Sequence, residues 1–131
     1  MKLNFTIPEL CKSETAIKQG FNNTPSMYIA NNIMLLIVNV LQPLRDKLDK
    51  PIIVTSGYRC VHLNKLIGGV NNSQHITGQA ADIKVKDMSA AQLFNFIVTS
   101  GIEYDQCINE SDQWVHVSYN ERGNRKQCFK L

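Results

Sequence analysis

A strong charge of either sign is missing from this chain: 14 Lys and Arg stand against 11 Asp and Glu, giving a net charge of +3 in 131 residues. The basic residues are scattered, so no nucleic-acid backbone is expected as a partner. A long apolar run is missing too. The longest, residues 33–41, is interrupted by Asn39 and is too short to span a bilayer. It predicts a buried helix and no stable membrane insertion. The opening stretch MKLNFTIPELCKSE lacks the apolar core and small-residue cleavage site of a secretory signal. Synthesis in the cytoplasm without a signal peptide is therefore expected. The four cysteines, Cys11, Cys60, Cys107 and Cys128, form no C-x-x-C pair and no zinc-ribbon spacing. They read as structural thiols, with Cys107 and Cys128 on strand-like runs whose separation the sequence does not set. None has a convincing histidine partner in sequence that would mark a nucleophile.

What is present is ordinary globular composition, 44% apolar and 19% charged, without repeats, low-complexity tracts or linkers. One domain over residues 1–131 is expected, and a monomer. Pro8 at an early helical position predicts a first helix over 7–16. From Ser26, a candidate N-cap, apolar residues recur at three-to-four spacing to Leu48 and predict one long helix, kinked at Pro43. The β-branched run PIIVTSGY (51–58) predicts a core strand, followed by a short helix over 61–66 that Gly68 and Gly69 stop. A loop of Gly, Asn, Ser and Thr then leads into the strand QAADIKV. In that strand Ala81 and Ile83 share one face, and Ala80 and Asp82 the other. A capping box of Ser89 and Gln92 opens a helix that Gly101 ends. Strand-like runs at 103–109, 114–119 and 127–131 close the chain. Helices first and strands later, without a βαβ rhythm, predict an α+β fold with a mainly antiparallel sheet backed by helices.

Within this frame, His75, Asp82 and His116 supply two imidazoles and a carboxylate, the number of protein ligands usual at a catalytic zinc. The spacing permits a site if Asp82 and His116 project from one sheet face and the loop carrying His75 folds over them. By residue type alone, a lone histidine on a strand is more often a hydrogen-bonded, half-buried residue than a ligand. His62, on a short polar helix, reads as a surface residue.

The ordered motifs carry more than any one of them. SGYR (56–59), Leu63-Asn64, S-x-H-x-x-G-x-A-x-D as SQHITGQAAD (73–82) and WVHVSY (114–119) together resemble the zinc D-Ala-D-Ala carboxypeptidase family, which includes phage peptidoglycan endopeptidases. The similarity extends to EL-x-x-S near the start, the Asn/Pro-containing approach to the long helix, LQPLRD, and YDQ (104–106), and so covers nearly the whole chain. It implies a fold of the hedgehog and D-Ala-D-Ala peptidase type, zinc held by His75, Asp82 and His116, and hydrolysis of peptide bonds in peptidoglycan stem peptides by a metal-activated water. It also implies action at the cell wall or periplasm after release, as for a phage lysin. A non-catalytic zinc module on the same fold is the competing expectation.

Carried over by position, the resemblance makes Arg59 the group that binds a substrate carboxylate or steadies oxyanion charge, with a structural ion pair as the alternative. Ser73 becomes a substrate contact or a loop-turn serine, and Trp114 a cleft wall or a core residue. Many relatives place Glu or Asp three residues before the second histidine ligand. Here that residue is Gln113, which cannot accept a proton at neutral pH. Glu110 is the expected general base in its place, with Asp112 second.

Overall fold

The computed structural model describes residues 2–131. Two short helices open it: α1 (Ile7–Cys11), whose N-cap is Thr6, and α2 (Glu14–Gln19), whose N-cap is Ser13. This corrects the expected single helix over 7–16. The Ser13 side chain accepts the Ala16 N–H at 3.1 Å and restarts the helix there, as a serine competing for local backbone donors does.

The long helix begins where expected, with Ser26 capping α3 (Met27–Leu36). It then widens into a π-helical turn (Ile37–Leu41) and continues as α4 (Gln42–Leu48). Pro43 acts one turn earlier than a simple kink predicts. Lacking an N–H and crowding the carbonyl four residues back, it is accommodated by a turn in which the Gln42 N–H donates to Ile37 O. The Met27–Leu48 run is long and apolar enough to cross a membrane by length and hydropathy alone. Its Ile33, Leu36, Ile37, Val40, Leu41 and Leu44 are instead fully buried in the core.

Five strands follow, interleaved with two helices: β1 (Ile53–Ser56), α5 (Val61–Leu66), β2 (Ala80–Lys84), α6 (Ala90–Thr99), β3 (Gln106–Glu110), β4 (Trp114–Ser118) and β5 (Gln127–Lys130). The spatial order is β1-β2-β4-β3-β5. All neighbours are antiparallel except β5, which lies parallel to β3. The fold is α+β with a mixed, mostly antiparallel sheet. The predicted capping box of α6 is present, with Ser89 Oγ accepting from Gln92 N and Gln92 Oε1 from Ser89 N.

Alternation gives the sheet two different faces. Ala81, Ile83, Val115, Val117 and Cys107 are fully buried against the helices. The opposite face carries Asp82 beside His116, His116 beside Ile108, and Glu110 beside Trp114, in register across three strands. The strand expected over 103–109 is shifted to 106–110, so Glu110 is its last residue and belongs to this second face. Cys107 and Cys128 are register partners on β3 and β5, and both are free thiols.

Candidate metal centre

Three elements bring the candidate ligands together. Asp82 sits mid-strand on β2, His116 is its register partner on β4, and His75 comes from the loop between α5 and β2. His75 Nε2 lies 3.3 Å from Asp82 Oδ1 and His116 Nδ1 lies 3.1 Å from it. The three donor atoms are all within 4.8 Å of one another. Tetrahedral coordination with bonds of about 2.0–2.1 Å sets ligand atoms about 3.3 Å apart. Both measured separations match that spacing. The donor set of two nitrogens and one carboxylate oxygen therefore fits a zinc-sized ion in number and chemistry, with each histidine nitrogen at ligand spacing from Asp82 and all three atoms within 4.8 Å.

The second nitrogen of His75 fixes the ring. Nδ1 is 2.7 Å from Gly57 O, and a carbonyl only accepts, so Nδ1 carries the proton and Nε2 presents its lone pair. Gly57 is required there for a further reason: a Cβ would lie 2.2 Å from Leu10 O, against which the β1–α5 connection packs. At Asp82, burial works to raise the pKa. The hydrogen bond from His116, that from His75 when its ring is doubly protonated, and the charge of the protonated rings outweigh it and hold the carboxyl well below the usual range.

The loop that carries His75 is held from several sides. Ser73 Oγ accepts the His75 N–H at 3.1 Å, so this serine shapes the ligand turn. Asn32 Nδ2 on α3 donates to Thr77 O at 3.0 Å. Gly78 has φ +75°, and a Cβ there would stand 2.8 Å from the Ile29 side chain. Gln74 Nε2 donates to Asp105 Oδ2 at 2.9 Å. Asp105 is itself fully buried and clasped by Arg125, whose Nη2 reaches Oδ2 at 2.7 Å and whose backbone N–H reaches Oδ1 at 2.8 Å. The hydrogen bonds from Arg125 lower the Asp105 pKa against the opposing effect of burial. In the sequence Asp105 appears only within YDQ and Gln74 only within SQHITGQAAD, and the role of each depends on the other, 31 positions away.

Arg59 is joined to the ligand loop through its backbone, its N–H donating to His75 O at 3.0 Å. Asn23 braces the same segment: its Nδ2 donates to Tyr58 O at 3.0 Å and its Oδ1 accepts the Cys60 N–H at 2.8 Å. Burial lowers the Arg59 pKa, opposed by the nearby Asp82 charge, and Arg59 Nε is buried without a hydrogen-bond partner. A half-buried guanidinium with an unused donor suits an incoming oxygen acceptor.

Glu110 and Asp112 part company. Glu110 pairs with Trp114, two residues from His116 on the same sheet face, so it is a diagonal neighbour of that histidine. Asp112 is exposed in the β3–β4 turn and its carboxylate is engaged by Lys130 Nζ at 2.9 Å and Asn109 Nδ2 at 3.0 Å. Trp114, half-buried beside Glu110, keeps its indole N–H buried and unpartnered. His62 is exposed, packs edge-on against Phe21 and is not part of the cluster.

The family model described as peptidase M15 matches residues 3–118. Among curated proteins, the chain is similar to the zinc D-Ala-D-Ala carboxypeptidase of Streptomyces albus G, 37% identical over 82 residues. That alignment takes in 62% of this chain and 31% of the relative, so the chain spans about a third of the relative's length.

Proposed function

From membership in the peptidase M15 family, to which this chain belongs, we propose that the protein is a zinc-dependent metallopeptidase that hydrolyses peptide bonds in peptidoglycan stem peptides, as a D,D-carboxypeptidase or a lysin-type endopeptidase acting at the cell wall. The observation that carries this reading is the convergence of His75 Nε2, Asp82 Oδ1 and His116 Nδ1 within 4.8 Å of one another, with Glu110 on the same sheet face and the Arg59 backbone bonded to the His75 loop. Zinc held by these three residues supplies a Lewis acid that polarises a carbonyl and lowers the pKa of a water.

The remaining steps belong to the chain's own groups. Glu110, free to reach across the sheet face toward His116, takes a proton from the attacking water and returns it to the leaving amine. Arg59 donates to the carbonyl oxygen as negative charge develops, which uses the Nε–H the protein itself leaves unpartnered. Gly57 O keeps His75 in one tautomer throughout. Ser73 is engaged in the ligand turn and adds its hydroxyl hydrogen to the substrate contacts.

Mass analysis of the fragments released from purified peptidoglycan by zinc-loaded protein tests the reading and identifies the bond cut. Release of stem-peptide fragments that disappears in Glu110→Ala, with zinc still bound, is the expected result. A zinc-loaded protein that releases nothing is a non-catalytic module.

A further inference from the structure

β1 forms one edge of the sheet, with β2 its single strand partner. Edge strands are usually blunted by charges, proline or a covering element. This one presents Ile53, Val54, Thr55 and Ser56, none of them charged, and a groove of about 780 Å³ runs along it. Residues from both faces of the strand line the groove, so it opens onto the strand's backbone edge. Its far wall is the α1–α2 corner, with Glu9, Lys12 and Glu14, and α5 and its C-cap contribute Leu63 and Ile67. One end lies toward the metal centre: Arg59 lines the groove and Ser56 is the register partner of Asp82, while the three ligands themselves stand outside it.

We propose that this groove is a binding site for an extended peptide carrying a side-chain amine, which pairs with the free edge of β1 and is thereby led to Arg59 and the metal centre. The inference rests on the peptidase reading above and specifies how its substrate is held. The volume lies within the range of ligand sites, about 300–1,000 Å³. Strand addition to a sheet edge uses backbone donors and acceptors that every peptide has, and adjoining side chains then select the sequence. Charge supplies that selection here. Glu9 and Glu14 are exposed, outnumber Lys12 on the helical wall, and take part in none of the ion pairs among the described residues. The wall is therefore negative and the Arg59 end positive. A stem peptide containing a diamino acid matches that polarity, with its amine toward the wall and its backbone carbonyls or carboxylate toward Arg59.

The test is amide chemical-shift titration of the zinc-loaded protein with a synthetic lysine-containing stem tetrapeptide, its side-chain amine free or acetylated. Free D-Ala-D-Ala is the short control. The expected result is that the tetrapeptide shifts the amides of Ile53–Ser56 and the dipeptide does not. The free-amine form should bind about fivefold more tightly than the acetylated one, as for a solvent-screened ion pair. The double variant Glu9→Gln/Glu14→Gln should erase that preference. Tetrapeptide binding without β1 shifts overturns the site, and a preference that survives the double variant overturns the assignment of the amine to this wall. Binding is read from the amide shifts and turnover from the mass of the products, so the two readings fail separately. A protein that shows the β1 shifts but cuts nothing sinks the hydrolase reading, and one that hydrolyses without them sinks the groove.

Discussion

Replacing Glu110 with Gln keeps a side chain of nearly the same shape next to Trp114 while removing its ability to accept a proton. On the proposed mechanism kcat should fall by about 10²–10⁴, the usual contribution of a positioned general base, with bound zinc unchanged by metal analysis. Asp112→Asn should leave kcat within about threefold, because the Asp112 carboxylate is engaged by Lys130 and Asn109. The reverse ranking would move the base to the turn and refute the assignment of Glu110. Two residues apart in sequence, these carboxylates could be ranked there only through the family resemblance, which favoured Glu110. Their placement on strand or turn depends on where β3 ends, and element ends are the features that local pattern fixes least well. His75, Asp82 and His116 were legible because ligand chemistry restricts the residue types, and because alternation along β2 could already place Asp82 opposite the core-facing Ala81 and Ile83.

Among the elements, those declared by local chemistry were readable: the Ser26 cap, the Ser89–Gln92 box, and the glycine at φ +82° after α6. The break at Ser13 and the parallel pairing of β5 were not. β5 is placed through Asp105, whose carbonyl accepts the Gln127 N–H at 3.0 Å while its carboxylate holds Arg125, twenty positions along the chain. Asp105 thus ties three segments together: the ligand loop through Gln74, the start of β3, and the lead-in to β5. Asp105→Asn should cost about 2–3 kcal/mol at pH 7 in urea unfolding, the scale of lost charge-assisted hydrogen bonds. The Asp105 pKa is lower in the folded protein than in the unfolded chain, so its stabilisation is complete above the unfolded value of about 4 and is lost as pH falls through the folded one. The stability gap between wild type and variant should therefore narrow in acid. A gap that is constant from pH 7 to below pH 3 would mean that the carboxylate charge is not what holds this junction. Gly78→Ala tests the loop differently. It forces a Cβ against Ile29 at a positive φ, and should weaken metal affinity, measured by competition with a chelating dye, more than tenfold.

At the scale of the whole molecule the two sheet faces divide the labour. The face against α3, α4 and α6 is filled by Ala81, Ile83, Val115, Val117 and Cys107, and none of these depends on the ion. The other face gathers His75, Asp82 and His116, whose rings and carboxylate already hydrogen-bond to one another or to Gly57 O. Removing zinc should consequently weaken the protein without unfolding it. A ligand present at 100–1,000 times its Kd stabilises the folded state by about 3–4 kcal/mol, which for a chain of this size raises Tm by on the order of 10 °C. Thermal unfolding followed by near-ultraviolet circular dichroism, with zinc and then with excess chelator, should show a fall of that order. The low-temperature spectrum should be retained and the transition should stay cooperative. His116→Ala should show no difference between zinc and chelator, since it loses the ligand on β4. A chelated wild-type protein with no cooperative transition would instead make the metal part of the folding core, and the helix-backed face would then be insufficient to hold the sheet on its own.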